Sequence, residues 1–357
     1  MPPIKALQWL GLGLGCLSLL WMILPGLAGG ESVRFQRMTL RAPPFIQGLA
    51  TITCGGKKEV VALGKEGQRY RVTLSSLGPG LAALGDCNLP AVPPDPERLP
   101  DGEVSPGRAD VAWAWLAEPT ERYRHGILGD GIEAGALRVV RHASGGKEGL
   151  RLTLRLDEGH VFEDRRARIV DLDGDGRSEV LVIRSGLEDG GALALYGIRD
   201  GVLVTLASSA AFGRPHRWLN VVGVEDFDGD GRREVAAVLT PHIGGTLALY
   251  EWRGGRLVLD HERDGFSNHA IGSRELDMSA VADVDGDGIP DLVVPDANRR
   301  VVRMVTFAGG HFHEWARVDN PAEIVTGIHL VPLPGRSRAG LVYGLKTGVL
   351  VGLIPGE

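Results

Sequence analysis

One nine-residue pattern occurs three times in this chain, and its spacing limits the fold more than any other feature. It reads Asp171-Leu-Asp-Gly-Asp-Gly-Arg-Ser-Glu179, Asp226-Phe-Asp-Gly-Asp-Gly-Arg-Arg-Glu234 and Asp283-Val-Asp-Gly-Asp-Gly-Ile-Pro-Asp291, with successive starts 55 and 57 residues apart. A period of that size is the mark of a solenoid or a propeller. Short runs rich in β-branched residues flank each copy, such as 167–170 before the first and 292–294 after the third, and these read as strands. Two further strand-like runs follow each copy: 192–197 and 202–207, then 246–252 and 256–260, then 300–307 and 311–318. Each repeat is therefore four short strands, which is one propeller blade.

The acidic positions carry chemistry as well as spacing. Carboxylates at positions 1, 3, 5 and 9, with glycines at 4 and 6, make a tight loop whose oxygens converge. Hard oxygen ligands in a flexible cage suit Ca2+, whereas Mg2+ demands a stricter octahedron. Without a cation the clustered carboxylates repel one another, so an ion is close to a requirement for an ordered loop. An EF-hand loop is excluded, because it needs a carboxylate at position 12 and helical flanks, and position 12 here is Val182, Ala237 and Val294. An ion-free acidic turn is the bland alternative. Threefold recurrence at matched spacing argues against it.

Asp-x-Asp-Gly-Asp-Gly-x-x-Asp/Glu between hydrophobic strands at this period resembles the FG-GAP or VCBS repeat of β-propellers, also seen in integrin α-subunits. The likeness covers about residues 165–318 and is specific for the repeat type, not for an activity. It implies Ca2+ in the loop between a blade's first two strands. By residue-wise match the first ion is held by Asp171, Asp173, Asp175, Glu179 and the carbonyl of Arg177. The second set is Asp226, Asp228, Asp230, Glu234 and the Arg232 carbonyl; the third is Asp283, Asp285, Asp287, Asp291 and the Ile289 carbonyl.

Worn copies are expected to complete the ring. The stretch Thr51 to Glu59 keeps a glycine at position 6 and an acid at position 9, and reads as a blade without an ion. Residues 109–156 leave room for another, with strands near 110–116, 122–128, 136–141 and 150–156. The last unit, 324–354, has too few strands and calls for 33–40 to complete it. The fold expected is all-β, a propeller of six four-stranded blades, or alternatively seven, over residues 31–357. The segment 88–107, rich in Pro, Asp and Glu, reads as an inter-blade loop.

Residues 1–30 stand apart. Lys5 precedes an apolar run from Ala6 to Ala28, longer than the core of a signal peptide and near the length of a spanning helix, with a small-residue stretch Leu27-Ala-Gly-Gly30 that suits cleavage. A hydrophobic helix kept as a membrane anchor and a removed signal peptide both remain open. Cys16 lacks a good lipid-attachment context. Either reading places the propeller outside the cytoplasm, periplasmic or at the cell surface, where weak Ca2+ sites fill. Cys54 and Cys87 share that oxidising compartment, yet the strand reading puts them near opposite faces of a blade, so their pairing stays open. A net charge of -6 argues against a nucleic-acid partner.

No nucleophile elbow, zinc-protease helix or phosphate loop is present, so no reaction type is signalled. Histidines do recur at related places: His160, His216 and His269 stand 11, 10 and 14 residues before their acidic loops. His242 follows a second strand and His125 lies near the end of another. These positions share the face opposite the acidic loops, although loop histidines are ordinarily solvated or bound to backbone. A pocket of His125, His216, His242, His269 and Arg274, with Glu275 nearby, would suit an anionic ligand or, less well, a transition metal. Trp113, Trp115, Trp218 and Trp252 read as blade packing. Two functions follow: a binding or scaffolding module for a protein, glycan or small ligand, or a propeller-based lyase or hydrolase using a histidine and Arg274. The missing catalytic signatures favour the first.

Overall fold

The computed structural model describes residues 20–21, 35–43, 46–85, 87, 89, 91–142 and 149–356. Apart from one 3-10 turn, the described elements are β-strands, arranged almost entirely as antiparallel meanders. They form six four-stranded units. The first is Ile46–Cys54, Lys57–Gly64, Arg69–Ser75 and Gly78–Ala83. The second is Val111–Thr120, Glu133–Arg141 and Arg151–Arg155, with Ser105–Pro106 and an Arg98–Ala117 bridge as a broken innermost strand. The third is Arg168–Val170, Glu179–Gly186, Gly190–Arg199 and Val202–Ser208. The fourth is Leu219–Glu225, Glu234–Leu239, Thr246–Arg253 and Arg256–Asp264. The fifth is Ala280–Ala282, Asp291–Pro295, Val301–Thr306 and His313–Asp319. The sixth is His329–Val331, Gly340–Gly344 and Val349–Pro355, and its outer strand is Phe35–Arg41, which pairs in full register along Val349–Pro355.

The sequence pattern explains the layering. Second strands such as Glu234–Leu239 and Asp291–Pro295 are apolar after their leading acid and nearly all buried on both faces, while outer strands such as Arg151–Arg155 alternate. Five apolar clusters each join two units in succession: second to third, third to fourth, fourth to fifth, fifth to sixth, and sixth back to first. Among the described residues no such cluster joins the first unit to the second. There the second unit is covered by its own leading segment, whose Asp95 accepts from Trp115 Nε1 at 2.6 Å and pairs with Arg138, as does Glu97.

Polar contacts also join units that are not adjacent in sequence. Arg166, just before the third unit's inner strand, forms a two-pronged pair with Asp277 of the fifth at 2.9 Å on each prong, reaching past the fourth unit. Arg165 pairs with Asp101 of the second unit, and Thr51 of the first bonds His329 of the sixth at 2.9 Å. Protein closely surrounds Arg166 and Asp277, yet water reaches them, with side chains 22% and 42% exposed.

Several expectations need correction. Thr51–Glu59 is not a worn acidic loop but a hairpin closed by a two-residue Gly55-Gly56 turn, both at positive φ, which leaves no room for a cage. The run 122–128 is not a strand. It belongs to an excursion between Thr120 and Glu133, broken by left-handed Gly126 and Gly129. The segment 88–107 is more than a connection, because it supplies the second unit's inner pairing through Arg98 and Ser105–Pro106. Cys54 and Cys87 are joined as a disulfide, with Cα atoms 5.2 Å apart, because the chain turns back after Ala83 toward the hairpin tip. The apolar helix expected within 1–30 lies outside the described residues, save that Leu20–Trp21 pairs in extended form with Gln36–Arg37. Cys16 also lies outside them. No described helix is long and apolar enough to cross a membrane.

Candidate functional site

Each acidic motif is the loop between a unit's first and second strands, and the three loops share one geometry. The residue before position 1 pairs with position 9 in all of them: Val170 with Glu179, Glu225 with Glu234, Ala282 with Asp291. The glycines at 4 and 6 adopt φ between 72° and 91°, a region costly for any side chain, so the loop can turn its carboxylates inward. The acid at position 9 starts the second strand and accepts the backbone N–H of position 2, at 3.0 Å in the first loop and 2.8 Å in the other two. Position 3 accepts from position 5 and position 5 from position 7 in every copy.

Oxygens from Asp171, Asp173 and Glu179 lie within 4.8 Å of one another, as do those of Asp226, Asp228, Asp230 and Glu234, and those of Asp283, Asp285 and Asp291. Asp175 and Asp287 stand outside their tight clusters. The ninth-position acids are buried to 0 or 1% exposure, and burial pushes each carboxyl up to about 7. Glu179 Oε1 and Asp171 Oδ1 are buried with no partner in the chain. A cation with a preference for hard oxygen fits this donor set: it would favour the ionised carboxylates and satisfy those oxygens. Asp228 also lies with Asp260 and His261, an additional grouping that, among the described residues, the fourth unit alone offers.

The opposite ends of the strands carry the histidines, gathered into two pairs. His242 Nε2 donates to His269 Nδ1 at 2.8 Å, and His269 Nε2 donates to the Ser273 carbonyl at 2.9 Å, which fixes both tautomers. Burial lowers His242 to about 4 and His269 to about 3, so both are neutral at physiological pH. His125 and His216 have ring centroids 5.0 Å apart beside Tyr123, whose hydroxyl accepts the His216 N–H at 2.7 Å. Trp218 connects the pairs. Its ring stacks on His242 and tilts over His269, while its Nε1–H donates to the Glu163 carbonyl at 2.9 Å.

Arg274 is not brought to the histidines. Asp101 and Asp130 bind its guanidinium at 3.1 and 2.8 Å. Glu275, half-buried and pushed up to about 7 chiefly by desolvation, sits beside Asp277 instead. His160 is set apart as well, bonded to Asp157 at 2.7 Å.

Two carboxyls that the sequence reading missed lie beside the histidines. Glu163, fully buried, accepts from Ser185 Oγ and meets His125 Nδ1, both at 2.5 Å. Phe162 pairs with Ala134, which brings Glu163 and Glu133 to the same end of that ladder. Burial, with the nearby Glu163 charge, pushes Glu133 up to about 10, and its Oε1 has no partner. A signal was available: the charged runs Glu163-Asp-Arg-Arg166 and Arg274-Glu-Leu-Asp277 each stand shortly before an inner strand, where solvated loop charges have no reason to cluster.

The comparisons with known proteins agree with the repeat class. The profile of the FG-GAP-like repeat matches residues 171–237 and 226–294, so the chain carries two such repeats in tandem. No curated protein matches the chain. Among solved structures, it is similar to the crystal structure of BBS1N in complex with ARL6DN, soaked with mercury, at 12% identity and a TM-score of 0.46, over 89% of this chain and 94% of that one.

Proposed function

We propose that residues 35–356 close as a six-bladed, calcium-stabilised propeller that works outside the cytoplasm as a binding module. The observation that carries this reading is the threefold cage of convergent carboxylates, each backed by a buried ninth-position acid. Two observations support closure: the sixth unit's outer strand is Phe35–Arg41, and the Arg166–Asp277 pair links the third unit to the fifth past the fourth. In each loop the carboxylates at positions 1, 3, 5 and 9, with the position-7 carbonyl, would hold Ca2+. The ion supplies charge compensation and rigidity.

The ligand face in this reading is the opposite one. Trp218, His242, His125 and His216 give it an aromatic surface beside the buried Glu163 and Glu133 carboxyls, which favours a neutral polar ligand over an anion. The Cys54–Cys87 bridge suits an oxidising compartment, and residues 1–30 would deliver or tether the propeller there.

The test is binding of the calcium-loaded chain to glycan and peptide arrays, repeated with His216→Asp and with Asp173→Ala. Binding lost in the first variant and kept in the second, when both remain folded, supports the assignment. Binding that is indifferent to His216 and lost with Asp173 places the ligand on the loop face and refutes it.

A further inference from the structure

The end of each acidic loop rests on the loop of the unit before it. Ser178, eighth in the first loop, donates its Oγ–H to the Arg108 carbonyl at 2.9 Å and its N–H to Asp110 at 2.8 Å, both in the second unit. Arg233, eighth in the second loop, donates Nη1–H to the backbone carbonyl of Asp171. The sixth unit has a loop of the same length and register, 332–339, closed by the Val331–Gly340 pair. Its Arg338 donates to the carbonyls of Val284 and Asp285 in the third acidic loop, at 3.4 and 3.2 Å. The eighth residue of the third loop is Pro290, which has no donor to give, and Ile289 packs over Gly229 instead.

These contacts are not equally needed. Asp226 is held by its own loop, its two oxygens accepting the N–H groups of Gly229 and Gly231 at 2.8 and 2.9 Å. Asp283 is held the same way by Gly286 and Gly288. Asp171 lacks both bonds, and its buried Oδ1 has no partner. What fixes residue 171 from outside its strand is Arg233.

We propose that Arg233 is a positioning residue for the cation of the first loop, standing in for the amide bonds that anchor Asp226 and Asp283. The inference rests on the calcium reading above. It adds a direction: Arg233 belongs to the second loop and adjoins Arg232, whose carbonyl faces that loop's ion by the family likeness. Order in the second loop is thereby passed to the first, and linkage makes the effect mutual. A competing effect has the opposite sign. A half-buried guanidinium repels a dication held closer than the screening length of about 8 Å at physiological salt, so positioning must outweigh that repulsion.

Isothermal titration of the metal-free full chain with CaCl2 tests this. For Arg233→Ala, the first-loop site is expected to weaken about tenfold and the second, coupled to it, by no more than that, while the third holds, within the usual span of coupling between sites. Arg233→Lys, which keeps a cationic donor, should recover part of the loss. In an Asp173→Ala background, where the first loop is disabled, Arg233→Ala should have no further effect. Melting in chelator separates positioning from plain structure: a positioning role lowers only the calcium-dependent gain in Tm. Unchanged affinities, a tightened site, a weakening that persists with Asp173→Ala, or an equal Tm loss with and without calcium each overturn the proposal. A native chain that binds no Ca2+ removes the underlying calcium reading as well.

Discussion

Removing the cation makes the chain's stability depend on pH in a direction opposite to that of most salt-bridged carboxylates. Glu179, Glu234 and Asp291 are raised from the usual carboxylate range to about 7, chiefly by burial and then by neighbouring aspartates. A folded-state value above the unfolded one means that the protonated group stabilises the fold. That contribution is complete below the unfolded value, near pH 4, and is lost as pH rises through about 7. Each group moves by two to three pH units, so each is worth about 3 kcal/mol between pH 4 and pH 8, at 1.36 kcal/mol per unit. Three such groups approach the whole of a domain's net stability of about 5–15 kcal/mol. For a chain of this length one kcal/mol corresponds to roughly 1–2 °C. Thermal melts in chelator should therefore fall by about 10 °C from pH 5 to pH 8, and saturating Ca2+ should abolish most of that fall by replacing protons. A metal-free chain that is equally stable, or more stable, at pH 8 refutes the claim that these acids are buried uncompensated.

Two further perturbations probe the frame. Arg166→Ala leaves Asp277 of the fifth unit without its partner from the third and should cost about 1–3 kcal/mol by denaturant melt; adding Asp277→Ala should restore part of it, and strict additivity would show that the two do not couple. Phe35→Asp places a charge in the core between the fifth and sixth units and in the outer strand drawn from the chain's beginning, so it should destabilise by more than about 3 kcal/mol. A mild effect would mean that this strand is dispensable.

What the sequence made legible was what it encodes locally and repeats. The cage is written in nine adjacent residues, so the strand–loop–strand register of Asp171–Glu179 and its two copies could be read without the structure. The completion of the sixth unit by an N-terminal strand followed from counting strands. Tertiary choices were not legible. Gly55-Gly56 fits a worn loop as well as a tight turn, and only the pairing of Cys54 with Lys57 decides between them. The run 122–128 has strand-like composition but is pulled out into an excursion that delivers Tyr123 and His125. On the histidine face, the buried carboxyls are Glu163 and Glu133. Their closeness depends on a pairing between Phe162 and Ala134 that no local pattern announces.

The most direct measurement is the calcium stoichiometry of the folded chain, by calorimetry or native mass spectrometry on metal-free protein. The account predicts three Ca2+ ions per chain, and two for Asp228→Ala, with a rise in Tm on binding. No bound calcium, or a count unchanged by Asp228→Ala, contradicts it.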